Sequence, residues 1–272
     1  MPAGRVARKR FGQHFLERVW VEKVIRAIDP KPDDVFIEIG PGHGALTRPL
    51  AARVQHVTAF EIDRDLAAEL RAAAISNVTV IEGDFLKVDP PHCGTPSGAP
   101  SVAAIRVAGN LPYNVASPIM FALVDWSRRG VALDDATVMV QREVAERLAA
   151  VPGSKAYGAL SVLIQHRARV ASLLTLPPGA FRPSPKVTSA VVRLRFHAPD
   201  PPVADEGHFA RVVRSLFARR RKTLANAVAY ASGGGVPARI LLQQAGIDGQ
   251  RRAETLSIGE FVRLAEVLRS NT

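Results

Sequence analysis

The sequence predicts an α/β fold: a Rossmann-like, mostly parallel sheet followed by a small all-helical C-terminal domain. Three observations predict it. Short apolar runs of strand length (Val35–Ile39, Val57–Glu61, Val78–Glu82, Ile105–Gly109) recur with helix-length stretches between them, the order of repeated βαβ units. A glycine loop, Gly40-Pro41-Gly42-His43-Gly44, follows the first of those strands directly. Beyond residue 198, two-residue alternation gives way to the helical spacing of Phe209, Val212, Val213, Leu216 and Phe217. The expected segments are a basic leader (1–26), the sheet domain (27–198) and the helical domain (199–272).

Composition narrows the class. Of the 272 residues 47% are hydrophobic, ample for a core, yet no run of about 18 uncharged apolar residues is present to span a membrane. The leader residues Arg5, Arg8, Lys9 and Arg10 are not followed by the apolar stretch of a signal peptide, and the single Cys93 cannot form an internal disulfide. A cytoplasmic enzyme or binding protein is expected. The net charge of +11 is concentrated at the two ends: seven basic against two acidic residues in 1–26, 14 against 16 in 27–176, and 15 against seven in 177–272. A near-neutral centre flanked by basic segments suits a small-ligand site that also grips a polyanion, ribose-phosphate backbone above all.

In chain order, Phe11-Gly12-Gln13-His14-Phe15-Leu16 precedes an amphipathic helix (Val19, Trp20, Val24, Ile28) that ends near Asp29-Pro30. The strand Val35–Ile39 runs into the glycine loop and then a helix over about 45–54, a nucleotide-binding order. Gly40, Gly42 and Gly44 permit close approach of a ligand to the backbone. The spacing lacks the third position of the dinucleotide fingerprint, and no phosphate-loop Gly-Lys-Ser/Thr follows, so a ligand without a pyrophosphate is favoured. Glu38, just before the loop, can orient it or pair with a ligand ammonium through a water. Glu61 ends the second strand 21 residues after Gly40, where an acid usually meets ribose hydroxyls. Asp63 is expected as an N-cap. The third strand ends at Gly83-Asp84-Phe85, where Asp84 can accept from an adenine amine and Phe85 can cover the ring.

The strand Ile105–Gly109 stops at Asn110-Leu111-Pro112-Tyr113-Asn114, where Pro112 biases Leu111 away from helix. The Asn110 amide oxygen and extended carbonyls can accept both hydrogens of an exocyclic amine while Tyr113 stacks on the ring. Residues 90–101 form a Pro/Gly/Ser-rich loop with no assigned chemistry, and no second Cys/His pair accompanies His92 and Cys93, so no metal is expected. Further helices are expected at 119–126, 141–148 and from Tyr157, with strands at 136–140, 170–176 and 187–196. Phe181, between proline turns, reads as exposed enough to stack on a base. In the tail, Arg219-Arg220-Arg221-Lys222 projects charge beyond a helix, Gly233-Gly234-Gly235 reads as a linker, and Ser257 with Glu260 forms a capping box.

Seven elements in order, Gln13–Leu16, Glu38–Thr47, Glu61-Ile62-Asp63, Gly83–Phe85, Asn110–Asn114, Phe181–Val187 and the tail motifs at 219–226 and 252–257, resemble the ribosomal RNA adenine N6,N6-dimethyltransferases of the KsgA (RsmA) type. The resemblance implies an S-adenosylmethionine-dependent methyltransferase fold. It places Gln13, His14, Leu16, Gly40, Gly42, Glu61, Ile62, Asp84, Phe85 and Asn110 around the cofactor. Asn110, Leu111, Pro112 and Tyr113 would hold the target adenine with Phe181 on its other face, and Arg219 to Lys222 would grip RNA. His14 stands where that family usually has Asn; a histidine can still donate to the cofactor's carboxylate. The implied substrate is two adjacent adenosines in the 3′-terminal hairpin of small-subunit ribosomal RNA in an immature 30S subunit, bound by a monomer. Alternatives are a large-subunit methyltransferase of the macrolide-resistance type and a non-catalytic RNA-binding assembly factor.

Overall fold

The computed structural model describes residues 14–89, 104–231 and 236–271. Gln13, the basic leader residues, the 90–101 loop with Cys93, and the Gly233–Gly235 linker lie outside them. The chain divides into two compact units, Met1–Ala145 with Arg169–Phe196, and Glu146–Ala168 with His197–Thr272.

The first unit holds a seven-stranded sheet. Its strands, in chain order, are β2 (Val35–Ile39), β3 (His56–Glu61), β4 (Val78–Glu82), β5 (Ile105–Asn110), β6 (Leu133–Gln141), β7 (Ala168–Leu176) and β9 (Ser189–Phe196). They lie in the order β4-β3-β2-β5-β6-β9-β7. Strands β2 to β6 pair in parallel, and β9 runs antiparallel to β6. The chain leaves β2 for β3 on one side and returns as β5 on the other, so the crevice beyond the carboxyl ends of β2 and β5 is the topological switch point. The pairing there is tight. Ile39 lies opposite Phe60 on one side and Gly109 on the other, and a Cβ at Gly109 would come 2.5 Å from the Ile39 carbonyl oxygen, so only glycine fits.

Helix α1 (Arg18–Ile28) buries Val21, Val24, Ile25 and Ile28, the i, i+3, i+4, i+7 stripe, in a cluster with Phe36, Leu50, Val57 and Phe181. Full burial of each such aliphatic side chain contributes about 1.5–3 kcal/mol of transfer free energy. The helix stops at Asp29, in the left-handed conformation at φ 54°, before Pro30. Helix α2 is shorter than its predicted 45–54 span: it covers Thr47–Ala51, and the Arg53 amide then bonds the Leu50 carbonyl at 2.8 Å, a tightened last turn. Helices α3 (Arg64–Ala72), capped by Asp63, and α4 (Ala116–Arg128) complete the described layers of this unit, with α5 (Arg142–Leu148) leading out of β6.

A two-stranded ribbon pairs β1 (Phe15–Leu16) antiparallel with β8 (Phe181–Arg182), Leu16 facing Phe181. This overturns the expectation that Phe181 is exposed. Its ring is fully buried among Leu16, Ile25, Leu176 and Ala180, because ribbon pairing turns it inward and the apolar side chain gains more from that cluster than from water.

At the amino-terminal edge of the same sheet, Arg106 on β5 is buried with all five guanidinium donors used. Nε and Nη2 reach the two oxygens of Asp135 at 2.9 Å each, Nη1 reaches Asp34 at 2.6 Å and the Asp29 carbonyl at 3.0 Å, and Nη2 reaches the Ile28 carbonyl at 2.7 Å. Arg193 approaches Asp135 at 3.2 Å.

The second unit contains α6 (Ala159–Gln165), α7 (Glu206–Ala218), α8 (Leu224–Ala231), α9 (Ala238–Gln244) and α10 (Ile258–Ser270). The segment 146–168, assigned by sequence to the sheet domain, belongs here. Buried Tyr157 donates to the Leu256 carbonyl at 3.0 Å, and Arg167 pairs with Glu206 through Nε at 2.6 Å. Such long-range ties leave no periodicity in sequence. The Ser257/Glu260 capping box forms as expected, with Ser257 accepting from the Glu260 amide and Glu260 accepting from the Ser257 amide.

Candidate active site

The glycine loop is shaped by its backbone. Gly40 and Gly42 sit at φ 70° and 58°, a conformation L side chains rarely adopt, and a Cβ at Gly42 would press on the Phe15 ring at 3.0 Å. The loop is pinned from β3: Glu61 accepts from the Gly42 amide at 2.9 Å through Oε2 and from the Asp63 amide at 2.9 Å through Oε1. Each oxygen keeps capacity for a further donor. Burial pushes the Glu61 carboxyl above its usual range against the pull of those amides.

These strand ends enclose a cavity of about 340 Å³ lined by residues from β1, the ends of β2 to β5 and the start of α4. Of the sequence-predicted cofactor residues, His14, Leu16, Gly40, Gly42, Glu61, Ile62, Asp84, Phe85 and Asn110 all border it. Asp84 caps the turn after β4 by accepting from the Leu86 amide at 3.0 Å. The Phe85 ring is held by Phe60 and Trp126, with centroids 5.6 and 4.8 Å away. Ile62 is half exposed, an apolar flank beside Glu61.

Glu38 is 1% exposed and borders the cavity, and its Oε2 has no hydrogen-bond partner. Burial raises its carboxyl to about 7, with Glu61 adding to the rise. The Thr47 hydroxyl opposes it from beside the group, without a hydrogen bond of its own.

The Asn110–Asn114 turn forms the other wall. Asn110 Nδ2 donates to the His14 carbonyl at 2.6 Å, which leaves Oδ1 as the free end of the amide. Leu111 is buried, its amide bonded to the Met139 carbonyl at 3.1 Å. Tyr113 is half-buried, its hydroxyl 2.7 Å from Ser189 Oγ, and burial pushes its pKa above the usual tyrosine value against the pull of that serine. Its ring stacks on His14 at 5.5 Å between centroids and 25° between planes, and the His14 Nδ1 lies 2.7 Å from the Pro183 carbonyl. Phe181 does not border the cavity. Ser189 and Met139 do reach these residues and carried no signal beyond membership of apolar strands.

In the second unit the basic run divides its labour. Arg219 lies over the exposed Tyr230 ring at 3.0 Å, Arg220 pairs with Glu254 at 3.0 Å, and Arg221 and Lys222 face solvent. Among the described residues no group of three or more potential ligands gathers a metal, and no helix is long and apolar enough to cross a membrane.

A parallel sheet with a glycine loop after its first parallel strand, an acid ending the next, and an Asn-Leu-Pro-Tyr turn on the same cavity define a Rossmann-like methyltransferase. The profile of one family, ribosomal RNA adenine dimethylase, matches residues 4–270. The chain belongs to that family and is an adenine dimethyltransferase of ribosomal RNA, which implies a methyl donor of the S-adenosylmethionine type. It is 44% identical over 265 residues to the ribosomal RNA small subunit methyltransferase A of Xanthomonas campestris pv. campestris (96% of each chain). It is 42% identical over 269 residues to that of Yersinia pseudotuberculosis (97% of this chain, 94% of the other). Among solved structures, a dimethyladenosine transferase from Plasmodium falciparum superposes with TM-score 0.76 at 25% identity, covering 92% and 96% of the two chains. The 23S rRNA methyltransferase ErmE does so with TM-score 0.66 at 27% identity, covering 94% and 99%.

Proposed function

We propose that this protein dimethylates N6 of two adjacent adenosines in the 3′-terminal hairpin of small-subunit ribosomal RNA, using S-adenosylmethionine, as a cytoplasmic monomer acting on an immature 30S subunit. The observation that carries this reading is the meeting, on one cavity, of the Asn110–Tyr113 turn with the carboxyls of Glu38, Glu61 and Asp84. These residues fit the cofactor: acceptors for ribose hydroxyls and an adenine amine, an apolar flank at Ile62 and Phe85, and in Glu38 an orphaned buried oxygen suited to a cationic ligand. The small-subunit names of the 42–44% identical relatives favour that RNA over the large-subunit alternative.

When bound, the cofactor supplies a methyl group already activated by a sulfonium. The protein's task is then to hold the adenine amine, whose lone pair is delocalised into the ring. Asn110 Oδ1 and the Leu111 carbonyl take its two hydrogens and keep nitrogen pyramidal and in line, while Tyr113 supports the ring face. No strong base is needed, because the proton turns acidic on transfer and leaves to water. Phe181, buried at the ribbon, is not retained as the opposing face. Its remaining role is to anchor β8 and so place Pro183 against His14. The target base has to leave its stack to enter. Arg221 and Lys222, free of ion pairs within the basic run, are assigned to the phosphate backbone.

The test is transfer of labelled methyl groups to small subunits and to large-subunit RNA lacking the modification, with the nucleoside mapped. Dimethylated adjacent adenosines near the small-subunit 3′ end are expected. Label in large-subunit RNA alone moves the protein to the resistance type, and binding without transfer to either favours an assembly factor. Asn110→Ala is expected to abolish turnover while cofactor affinity stays within about tenfold, the signature of an interaction made at the reacting amine.

A further inference from the structure

Glu38 carries more than a place in the wall. It is 1% exposed, its Oε2 has no hydrogen-bond partner, and it borders the cavity from the central strand β2. The groups facing it are Thr47 on α2 and, from β3, the carboxyl of Glu61. From β5 the register places the apolar Ala108 beside it. The other titratable groups on the cavity among the described residues are Asp84, His14 and Tyr113, and no described Lys or Arg borders it. A buried acid with acids for neighbours and no described cation beside it is pushed toward its neutral form. Glu61 differs: two backbone amides already hold its charge.

We propose that Glu38 is the acid in the free protein and the carboxylate in the cofactor complex, so that S-adenosylmethionine enters this site by exchanging its positive charge for a proton. The inference rests on the methyl-donor reading above and deepens it. The cofactor brings an ammonium and a sulfonium, and the Glu38 O–H bond breaks heterolytically as they arrive. Its electron pair stays on the carboxylate and the proton leaves to buffer. A carboxyl titrating near 7 makes that exchange accessible at neutral pH. Cofactor affinity then rises with pH by close to tenfold per unit below 7 and levels off above it. Glu38 is thus a positioning residue for the cofactor, and its charge state is set by occupancy.

The test is calorimetric titration of this chain with S-adenosylmethionine in phosphate and in imidazole, buffers of very different ionisation enthalpy, at pH 6 and 7. The difference in heat counts protons: release of roughly 0.9 per site at pH 6 and roughly 0.5 at pH 7 is expected for a group titrating near 7. Glu38→Gln, which keeps the shape and cannot ionise, is expected to bind with equal heats in both buffers and a pH-independent affinity. Difference infrared spectra of the unmutated protein give a second measurement: a protonated-carboxyl band that disappears on adding cofactor. Binding with equal heats and no band loss in the unmutated chain overturns the inference alone. Absence of cofactor binding in every buffer overturns the methyl-donor reading and the inference with it.

Discussion

The two ends of one sheet treat their charges in opposite ways. At the amino-terminal edge, Asp135 is wholly buried yet faces Arg106 and Arg193, and every donor of Arg106 is used. At the carboxyl-terminal edge, Glu38 is as deeply buried, has a second acid in Glu61 beside it, and one of its oxygens bonds nothing. The first arrangement is complete within the chain and reads as structure. The second leaves an acid without a cation among the described residues, and in the proposed reading a cationic guest completes it. Burial alone does not distinguish a functional carboxyl from a structural one; the sign of its neighbours does.

The largest expected effect breaks the completed end. Arg106→Leu leaves Asp135 with Arg193 alone and strips the donors from Asp34 and from the Ile28 and Asp29 carbonyls. Removing one partner of a buried pair costs about 3–5 kcal/mol. Urea unfolding of the variant should show that loss, and adding Asp135→Leu should recover part of it. A loss under about 1 kcal/mol would show that Arg193 neutralises Asp135 unaided.

The next effect sharpens the open end through stability. The Glu38 carboxyl is raised in the folded chain to about 7 from an ordinary 4.5. The folded state therefore holds the proton more tightly, and this stabilisation is full below 4.5 and is lost as pH rises through 7. Between pH 5 and 8 the free protein should lose roughly 2–3 kcal/mol that Glu38→Gln does not lose. Thermal or urea unfolding of both proteins at the two pH values checks it; parallel curves would mean that Glu38 is ionised in the free fold.

Much of this contrast was legible in sequence at one end and little at the other. The glycine loop, Glu61, Asp84 and the Asn110–Tyr113 turn are local motifs, each at the end of an apolar run, so chain order alone places them on one edge. The Arg106–Asp34–Asp135 network joins three strand starts far apart in sequence, and no local pattern announces it. Phe181 failed for a related reason. A Phe between prolines looks like a surface turn until Leu16, remote in sequence, pairs with it. The helix 159–165 was foreseen as an element, but its partner was not, because the ties of Tyr157 and Arg167 span long sequence separations.

The smallest effect tests how firmly the open end is held for the base proposed to bind there. Tyr113 is aimed by one hydroxyl contact, to Ser189 at the start of β9, which is fully buried. Tyr113→Phe keeps the ring and removes the contact from one side; Ser189→Ala removes it from the other. A net hydrogen bond of this kind contributes about 0.5–1.5 kcal/mol. Each variant should therefore lower kcat/KM for the RNA by about 2- to 10-fold while leaving cofactor affinity unchanged. Because both changes remove the same bond, the double variant should be no worse than the poorer single one. Additive losses would assign the two residues separate tasks, and the stacking surface would then be positioned by His14 and the backbone of the turn alone.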